Sequence, residues 1–399
     1  MSSLAQLYLN DKDLAVRWSN ITEDFTGELK KEAQIALRKL ITTSTEIQVQ
    51  DLIGSDKWQH NYQRTAYRHG YRSRGLLTSF GYLANIRVPR VSSGKLSFKC
   101  FKAYKQRSSD VDELVLKMFL AGVSTRRVKE VLEPLLGTNC ISASSVSQIT
   151  KSLNEQVNKY HARKLADDYL YLIADGVYFN VRNPINKHRR CVMVVYGIKS
   201  NGVRELIDFE LAPHGEGEVS WEHFLNRLYH RGLKGNSIKL VSRDGNKGLK
   251  NALATVFPNA NQQPCWAHKL RNVANKLPKS LQNTCINQAR DIYNAGSYHE
   301  ALKNYNCWAK TWNPVQPDAV QCLNDDILDL LNFFKEPKHL WIKLRTSNVI
   351  ERCFREVRRR TRPMSCFNNQ DSIQRIIYAI FYRQNKIWEN KPLKLLHKI

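Results

Sequence analysis

The stretch KLVSRDGNKGLKNAL, residues 239–253, decides the fold of this 399-residue chain. Its first half is a short apolar run that predicts a buried strand, and its second half has the apolar spacing of a helix. Asp244 and Gly245 stand between the two halves. An Asp-Gly pair is typical of a plain turn, but a carboxylate that ends a buried strand is also a candidate ligand for a hard divalent cation.

The segments around this stretch predict an α/β fold. Three strand candidates and one amphipathic helix precede it, and in chain order they are DDYLYLIADGVYFNV, RRCVMVVYGIKS, RELIDFELAP and SWEHFLNRLYHRG. Three strands, a helix, a strand and a helix form the order expected of an RNase H-like α/β core. The pattern then turns helical, and it ends in a long basic helix. We therefore predict an RNase H-like core, residues 166–269 and 346–399, interrupted by an all-helical insertion, residues 270–345.

The N-terminal part of the chain predicts helices and a DNA-binding surface. Residues 1–56 have helical spacing, with Thr22 as an N-cap. Residues 57–109 hold twelve Lys or Arg, interleaved tyrosines and no acid, which predicts a basic DNA-binding segment that contains a hairpin. Residues 110–165 contain three short helices, of which the second and third begin at serines, and this favours a helix-turn-helix-like domain, although a plain helical bundle shows the same pattern.

The charge balance indicates a polyanionic partner. The chain has 62 Lys and Arg against 36 Asp and Glu, a net charge of +26, which is far more than solubility requires. Double-stranded DNA is the expected partner. The arginines that we predict to contact DNA are Arg64, Arg68, Arg72, Arg74, Arg87, Arg90, Arg126, Arg127, Arg355 and Arg358.

Composition and motif spacing argue against several other classes of protein. The nine cysteines are scattered without a Cys-x-x-Cys pair, which indicates neither a disulfide framework nor a four-cysteine zinc site and fits a reducing cytoplasm. No apolar run reaches the roughly 18 residues of a membrane-spanning helix, so no membrane association is expected. The run GNKGLK after Asp244 lacks the ending of a phosphate-binding P-loop.

Two acids of the strand candidates predict a metal site. Asp175, in IADG, ends the first strand candidate, and Asp244, in SRDG, ends the fourth. In an RNase H-like arrangement these two strand ends lie side by side. Two carboxylates in that position are suitable oxygen ligands for Mg²⁺.

A third carboxylate would complete such a site, and the basic helix NVIERCFREVRRRTR offers Glu351 and Glu356. At about 100° per residue, Ile350, Phe354 and Val357 form the stripe that packs on the sheet. Glu351 lies about 90° from the centre of this stripe, whereas Glu356 lies about 130° round the other way and faces solvent. We therefore predict Glu351 as the third ligand and Glu356 as the partner of a neighbouring arginine.

Five segments, taken in chain order, resemble the Mutator-type insertion-sequence transposases of bacteria. They are GVSTRRVKEVLEPLLG, SASSVSQIT, ADGVYFNVR, SRDGNKGLKNALATVFPNANQQPCWAHKLRNV and RTSNVIERCFREVRRRTRP. The resemblance runs from about Tyr67 to Arg383 without a gap. One departure lies at Phe354, where the family often carries an asparagine.

The resemblance implies a reaction and its cofactors. It implies a DDE transposase that uses two Mg²⁺ ions, for which Mn²⁺ can substitute, and it places the family's three acids at Asp175, Asp244 and Glu351. The family's Cys-x-x-His signature matches Cys265 and His268, which we expect to support the catalytic carboxylates.

The same resemblance implies the partners of the chain and its place in the cell. The enzyme would cleave at terminal inverted repeats and transfer the strand to target DNA, as a homodimer or higher oligomer on DNA, in a bacterial cytoplasm close to the nucleoid. Two alternatives stay open at this point. They are a non-catalytic DNA-binding regulator and an RNase H-like nuclease without strand transfer.

Overall fold

A computed structural model of the chain describes residues 25–393, apart from positions 60, 61, 63, 93–97, 99, 102–105, 139, 183–186, 213, 214, 362–366 and 368. The predicted N-cap Thr22 lies outside the described residues. The chain divides into two compact units, residues 1–151 and 152–399. This division precedes the predicted boundary at residue 165, because a helix that includes Tyr160 packs on Phe209 of the second unit.

The first unit consists of a long helix, a β-hairpin and three short helices. In chain order its elements are α1 (Phe25–Ile53), β1 (Arg68–Thr78), β2 (Gly81–Val91), α2 (Ser109–Ala121), α3 (Thr125–Leu136) and α4 (Ala143–Thr150). Ile41, Val49 and Ile53 of α1 belong to one buried apolar cluster with Leu83 and Ile86 of the hairpin. The apolar face of α1 therefore supports the basic hairpin.

The hairpin is present in the basic segment, as predicted. β1 and β2 pair antiparallel, and Thr78 pairs with Gly81 across a two-residue turn. Gly81 has a φ of +109°, a conformation that glycine adopts without strain. β1 begins at Arg68, earlier than the apolar pattern indicated, so predicted DNA-contacting arginines stand on both strands.

Serine caps and a glycine delimit the three short helices. The Ser124 side chain accepts a hydrogen bond from the Arg127 N–H at 3.3 Å, and that of Ser142 accepts from the Ser145 N–H at 3.1 Å. Gly122 ends α2 with a φ of +109°. The predicted helix starts are therefore confirmed, and the helix-turn-helix assignment stays a prediction.

The second unit begins with a helix and then forms the sheet. Its first elements are α5 (Leu153–Ala162), β3 (Tyr169–Arg182), β4 (Lys187–Lys199), β5 (Arg204–Leu211), α6 (Glu218–His230), β6 (Leu240–Arg243), α7 (Lys247–Val256) and β7 (Asn261–Pro264). The helices that follow are α8 (Trp266–Ala274), α9 (Lys279–Asn294), α10 (Tyr298–Trp312), α11 (Pro317–Asn324), α12 (Ile327–Leu330), α13 (Trp341–Leu344), α14 (Asn348–Thr361) and α15 (Gln370–Glu389).

The five strands form one mixed sheet in the order β5-β4-β3-β6-β7. β3, β4 and β5 are antiparallel neighbours, while β6 and β7 run parallel to β3 on its other side. Leu172 of β3 is buried with α6 and α7, whereas Phe179 of the same strand packs on Phe354 of α14. Alternate residues of a strand point to opposite faces, so helices cover both faces of the sheet. The predicted α/β class is thereby confirmed.

The predicted insertion, residues 270–345, contains only helices and turns. Two of its tryptophans are buried: Trp308 donates from its indole to the Cys285 carbonyl, and Trp312 donates to the Gln288 side chain. Within the described ranges, no helix is long and apolar enough to cross a membrane.

One buried carboxylate ties the first helix of the second unit to its sheet. Asp208 of β5 is fully buried, and it accepts a hydrogen bond from His161 Nδ1 of α5 at 2.6 Å. It also accepts from the Arg231 guanidinium, directly after α6, and from the Phe209 N–H at 2.8 Å. Because a buried carboxylate without partners is strongly unfavourable, the two side-chain donors, His161 and Arg231, hold α5 and the end of α6 against β5.

We expect Asp208→Ala to lower the free energy of unfolding by about 3–5 kcal/mol, because it leaves the largely buried Arg231 guanidinium without its counter-charge. Urea unfolding followed by circular dichroism measures this change. As a control, Lys386→Ala breaks only an exposed pair with Glu389 and should leave the unfolding midpoint unchanged. An Asp208→Ala protein with the midpoint of the unmodified protein would contradict this role.

Candidate active site

The two aspartates lie where the parallel pairing of β3 and β6 ends. The sequence predicted that Asp175 ends the first strand, and this prediction is wrong. The strand β3 continues beyond Asp175, which pairs with Val194 of β4. The shorter β6 pairs with β3 only up to Ala174, which is opposite Arg243. Asp175 and Asp244 are therefore each the first residue beyond the last parallel pair. Since neighbouring strands lie about 4.8 Å apart, the two carboxylates start from adjacent backbones.

The alternation of β3 directs Asp175 toward α14. Asp175 and Phe179 are four residues apart on one strand and so share a face. The Phe179 ring packs on Phe354 of α14, with 5.6 Å between the ring centroids. Asp175 thus lies on the face of the sheet that α14 covers, and Glu351 stands in the first turn of that helix.

The predicted orientation of α14 agrees with the structure. Ile350, Phe354 and Val357, which we predicted to form the apolar stripe that packs on the sheet, are fully buried. Glu356 is exposed and forms an ion pair with Arg359 at 3.0 Å. Glu351 is only partly exposed, and its charge acts on the pKa of Asp175. Of the two glutamates, the structure therefore brings Glu351 to the aspartates.

Hydrogen bonds between the two ends of the insertion bring α14 to this place. The Trp266 N–H donates to the Arg345 carbonyl at 3.0 Å, and the Ser347 N–H donates to Cys265 Sγ at 3.2 Å. The insertion therefore leaves and rejoins the core at one point, directly beside the last residues of β7. This closure explains how Glu351, which is so distant in sequence from Asp175, comes close enough for its charge to act on that aspartate.

The turn after β6 holds the Asp244 carboxylate in position. Asp244 Oδ1 accepts a hydrogen bond from the Asn246 N–H at 2.9 Å. The Asn246 side chain in turn caps α7 by accepting from the Leu249 N–H at 3.1 Å. Aspartate and asparagine are favoured at such turn and N-cap positions, which fits Asp244 and Asn246 in the sequence.

Burial and like charges shape the electrostatics of the site. The Asp175 side chain is only 3% exposed, and burial, together with the charges of Asp244 and Glu351, raises its pKa to about 7. Burial also raises the pKa of Asp244. Ionised carboxylates are therefore unfavourable here unless a positive charge is added to the site.

Cys265 and His268 lie beside the three acids. Burial opposes ionisation of the Cys265 thiol, but hydrogen bonding with His268 lowers its pKa overall. The same thiol raises the pKa of His268 to about 9, to which the charge of Asp175 also contributes, so the imidazole carries a positive charge at neutral pH. His268 Nε2 is 3.6 Å from Glu351 Oε1, and a guanidinium nitrogen of Arg271 is 3.8 Å from the same oxygen. The pair thus places a cation between Asp175 and Glu351.

The three acids do not converge on a common point. In the part of the chain that the structure describes, no three His, Cys, Asp or Glu side chains converge closely enough to hold a metal ion. Asp175, Asp244 and Glu351 are electrostatic neighbours that offer oxygen atoms from three separate elements.

Sequence reasoning missed one acid in this region, Glu216. It stands in the loop between β5 and α6, and its carboxylate lies directly against Gly176 of β3. Burial raises the pKa of Glu216, and the charge of Asp244 raises it further. The run HGEGE, with an acid between two glycines before a helix, was the only signal in the sequence. It does not reveal which strand the loop contacts.

The predicted DNA-contacting arginines differ in how much of each side chain is exposed. The exposed ones are Arg72, Arg87, Arg90, Arg126, Arg127, Arg355 and Arg358. Arg64, Arg68 and Arg74 are partly buried. Arg64 and Arg68 donate to backbone carbonyls of their own unit, and Arg74 stacks on Phe101 at 4.4 Å.

An aromatic and basic cavity lies at the start of the hairpin. It has a volume of about 510 Å³, and its lining includes Trp58, Arg64, Tyr67 and Tyr71. Trp58 is 93% exposed, and the Arg64 guanidinium lies over the Tyr67 ring at 4.9 Å. Exposed aromatic rings beside guanidinium groups are typical of surfaces that contact nucleic acid bases and phosphates.

Comparisons with known proteins identify the relatives of the chain. The family model described as "Transposase, Mutator family" matches residues 13–391. The transposase for insertion sequence element ISRM5 of Rhizobium meliloti is 32% identical over 88% of this chain and 87% of its own length. The transposase for IS256 in transposon Tn4001 of Staphylococcus aureus is 31% identical over 86% of this chain and 87% of its own.

Further matches lie in another bacterium and among solved structures. The transposase for IS905 of Lactococcus lactis is 28% identical over 86% of this chain and 88% of its own length. A cryo-electron-microscopy structure of a simian T-cell lymphotropic virus intasome with the PP2A regulatory subunit B56 gamma matches 58% of this chain and 72% of its own. Its sequence identity is 9% and its TM-score 0.17, too low to bear on the fold.

We expect Asp175→Asn to stabilise the protein when divalent cations are removed by a chelator. The raised pKa means that the folded state binds a proton at Asp175 more tightly than the unfolded chain does. The stability contributed by this group is therefore present at acidic pH and is lost as pH rises from about 4 to about 7. The asparagine removes this loss, which amounts to at most about 4 kcal/mol.

Thermal unfolding at a series of pH values checks this expectation. The variant should unfold at a higher temperature than the unmodified protein at pH 8, and the difference should shrink as pH falls toward 4. Glu356→Gln, at an exposed position, should follow the unmodified protein throughout. A lower midpoint for Asp175→Asn at pH 8 would show that its carboxylate is not electrostatically strained.

Proposed function

The chain belongs to the Mutator family of transposases, and from this premise we propose that it is a DDE transposase with an RNase H-like core. In this proposal Asp175, Asp244 and Glu351 hold the divalent cations that DNA cleavage and strand transfer require. The strand order and the helices on both faces of the sheet support the RNase H-like assignment.

One observation carries the proposal. Asp175 and Asp244 are the first residues beyond the last parallel pair of β3 and β6, and α14 packs on the face of β3 to which Asp175 belongs. A regulator that only bound DNA would gain nothing from a buried Asp175 whose ionisation is opposed by two neighbouring acids, because this arrangement lowers stability. The site therefore favours an enzyme over the non-catalytic regulator.

The donor set fits Mg²⁺ or Mn²⁺. All three side chains offer carboxylate oxygens, which are the ligands that hard cations prefer, and burial together with the neighbouring acids raises the pKa of Asp175, so a bound cation would favour its ionised form. Two such ions, when bound, supply a nucleophile at neutral pH and stabilise the leaving oxygen of a phosphodiester.

The residues of the chain orient the acids and balance their charge. Asn246 fixes the carboxylate of Asp244 through its backbone N–H. The positively charged His268 lies against Glu351 and acts on Asp175, so it limits repulsion between the two before a cation binds. Cys265 holds this imidazole in its charged form and accepts a hydrogen bond from the Ser347 N–H at the start of α14.

The reaction that we propose consists of two phosphoryl transfers. In the first, water attacks the phosphodiester at an end of the element, and the bond to the 3′ oxygen breaks, which leaves a 3′-hydroxyl and a 5′-phosphate. In the second, the oxygen of that hydroxyl forms a bond to a target phosphorus while the target's own 3′ oxygen leaves. No covalent intermediate with the protein forms. A nuclease without strand transfer would perform only the first of these steps.

The first unit provides the DNA contacts in this proposal. Arg72, Arg87 and Arg90 are exposed along the hairpin, where they can reach phosphates. The cavity lined by Trp58 and Tyr67 adds rings on which bases can stack. We propose terminal inverted repeats as the bound sequence and a homodimer or higher oligomer as the assembly that holds two ends together.

Purified Asp175→Asn, Asp244→Asn and Glu351→Gln proteins should each bind terminal-repeat DNA normally in Mg²⁺. Each should nick and join it at least about 100-fold more slowly, because each loses a group that stabilises charge in the reaction. Glu356→Gln serves as the control, since its ion pair with Arg359 lies on the exposed side of the same helix. Gel assays of cleaved and joined strands measure both steps. An inactive Glu356→Gln beside an active Glu351→Gln would overturn the assignment.

Removing exposed hairpin arginines should weaken DNA binding through lost phosphate contacts. Arg72→Ala, Arg87→Ala and Arg90→Ala should each lower the affinity for repeat DNA and reduce the slope of log affinity against log salt by about 1. Lys117→Ala is the matched control, because that ammonium is already paired with Glu113 at 2.7 Å. Fluorescence anisotropy at several salt concentrations gives the slopes. Unchanged slopes in all three variants would remove the hairpin from the DNA surface.

A further inference from the structure

Glu216 approaches β3 more closely than any side chain at position 176 would permit. A Cβ added to Gly176 would lie 2.4 Å from Glu216 Oε1 and 2.8 Å from Oε2. Gly176 pairs with Met193 inside a regular strand and does not have a positive φ, so its backbone conformation does not require glycine. The glycine after Asp175 is therefore explained by the space that the Glu216 carboxylate occupies.

Glu216 and Asp175 lie on opposite faces of β3. Gly176 and Tyr178 alternate with Asp175 along the strand, so they point to the face that α6 and α7 cover. Glu216 contacts the strand from that face, whereas Asp175 points toward α14. Asp244, which lies beyond the end of β6, is the acid whose charge acts on Glu216.

The loop that carries Glu216 is attached to the turn that carries Asp244. The Asn246 side-chain amide donates to the Glu216 carbonyl at 3.1 Å, while the Asn246 N–H donates to Asp244 Oδ1 at 2.9 Å. A Cβ added to Gly248 would lie 2.6 Å from the Glu218 nitrogen, so the loop also packs tightly on the start of α7. One asparagine thus sets the position of both acids.

The Glu216 carboxylate has neutral donors around it but, among the described residues, no cation. Its Oε1 atom is buried and has no hydrogen bond of normal geometry to any residue that the structure describes. Tyr178, Trp221 and Cys191 favour the ionised form of the carboxylate through hydrogen bonding, whereas burial raises its pKa. These neutral donors lessen the cost of burying the carboxylate, but they leave its negative charge without a counter-charge.

We propose that Glu216 is a fourth acid of the active site, which binds a divalent cation together with Asp244 from the face of β3 opposite to Glu351. This inference rests on the proposed function, since it assumes a cation at Asp244. A cation in this place would supply the positive charge that the buried Oε1 atom lacks. Because Mg²⁺ keeps several of its waters, the carboxylate need not replace every water on its side of the ion.

Cation affinity of the unmodified protein and of Glu216→Gln tests the proposal without relying on activity. Isothermal titration with Mn²⁺, in the absence of DNA, should show at least about a tenfold loss of affinity in the variant. Glu218→Gln is the matched control, because it removes an acid two residues away that instead accepts from Asn251 at 2.7 Å. Glu218→Gln should bind Mn²⁺ as tightly as the unmodified protein does.

Thermal unfolding in a chelator separates a role in cation binding from a role in folding. Glu216→Gln should unfold at the same temperature as the unmodified protein or higher, because it removes a buried charge, and it should be stabilised less by added Mn²⁺. A variant that unfolds earlier in chelator yet binds Mn²⁺ with unchanged affinity would show that Glu216 only supports the loop, and the proposal would be wrong.

A double substitution probes the contact with Gly176. Gly176→Ala should displace the carboxylate and weaken Mn²⁺ binding, whereas the same change in a Glu216→Ala protein should have no further effect on affinity. Additive losses of affinity in the double variant would show that Gly176 acts through Asp175 and not through Glu216.

Asp244→Asn distinguishes this inference from the proposed function itself. Loss of Mn²⁺ binding in Asp244→Asn, with unchanged binding in Glu216→Gln, would reject only the role of Glu216. If the unmodified protein and Asp244→Asn bound Mn²⁺ with the same affinity, the metal site of the proposed function would be rejected as well.

Discussion

The parallel pairing of β3 with β6 is the constraint on which the rest of the structure depends. It ends at Ala174 and Arg243, and the next residue on each strand is an aspartate. The strands β3 and β6 differ greatly in length, yet each carries an aspartate directly after their last parallel pair. Everything else at the site serves these two residues: α14 brings Glu351, the turn after β6 fixes Asp244, and the Cys265–His268 pair supplies a cation.

The acids of the candidate active site lower the stability of the folded protein. Burial and mutual repulsion raise the pKa of Asp175 to about 7, so the folded state is less favourable when this group is ionised. The protein limits this strain with His268, whose charge is maintained by the neighbouring thiol. In the function that we propose, these acids on separate elements bind a cation, and we propose the same for Glu216, whose pKa the charge of Asp244 raises.

The helical insertion is accommodated because its two ends meet. Trp266 and Cys265 are hydrogen-bonded to Arg345 and Ser347, so the core is nearly continuous in space although it is interrupted in sequence. Phe354 then packs between Phe179 and Phe381, where its large ring anchors α14. An asparagine, which the family resemblance led us to expect at this position, would bury far less apolar surface than Phe354 does.

The sequence by itself determined the order and type of the elements and the side of α14 that faces the sheet. Apolar periodicity, capping serines and glycine turns are local signals, and they were sufficient to choose Glu351 over Glu356 as the acid beside the packed face. Only the tertiary structure decided where the parallel ladder stops, so that Asp175 lies within β3 and not at its end. It alone also brought Glu216 onto Gly176. Both results depend on the distance between segments that are remote in sequence, and no local pattern records that distance.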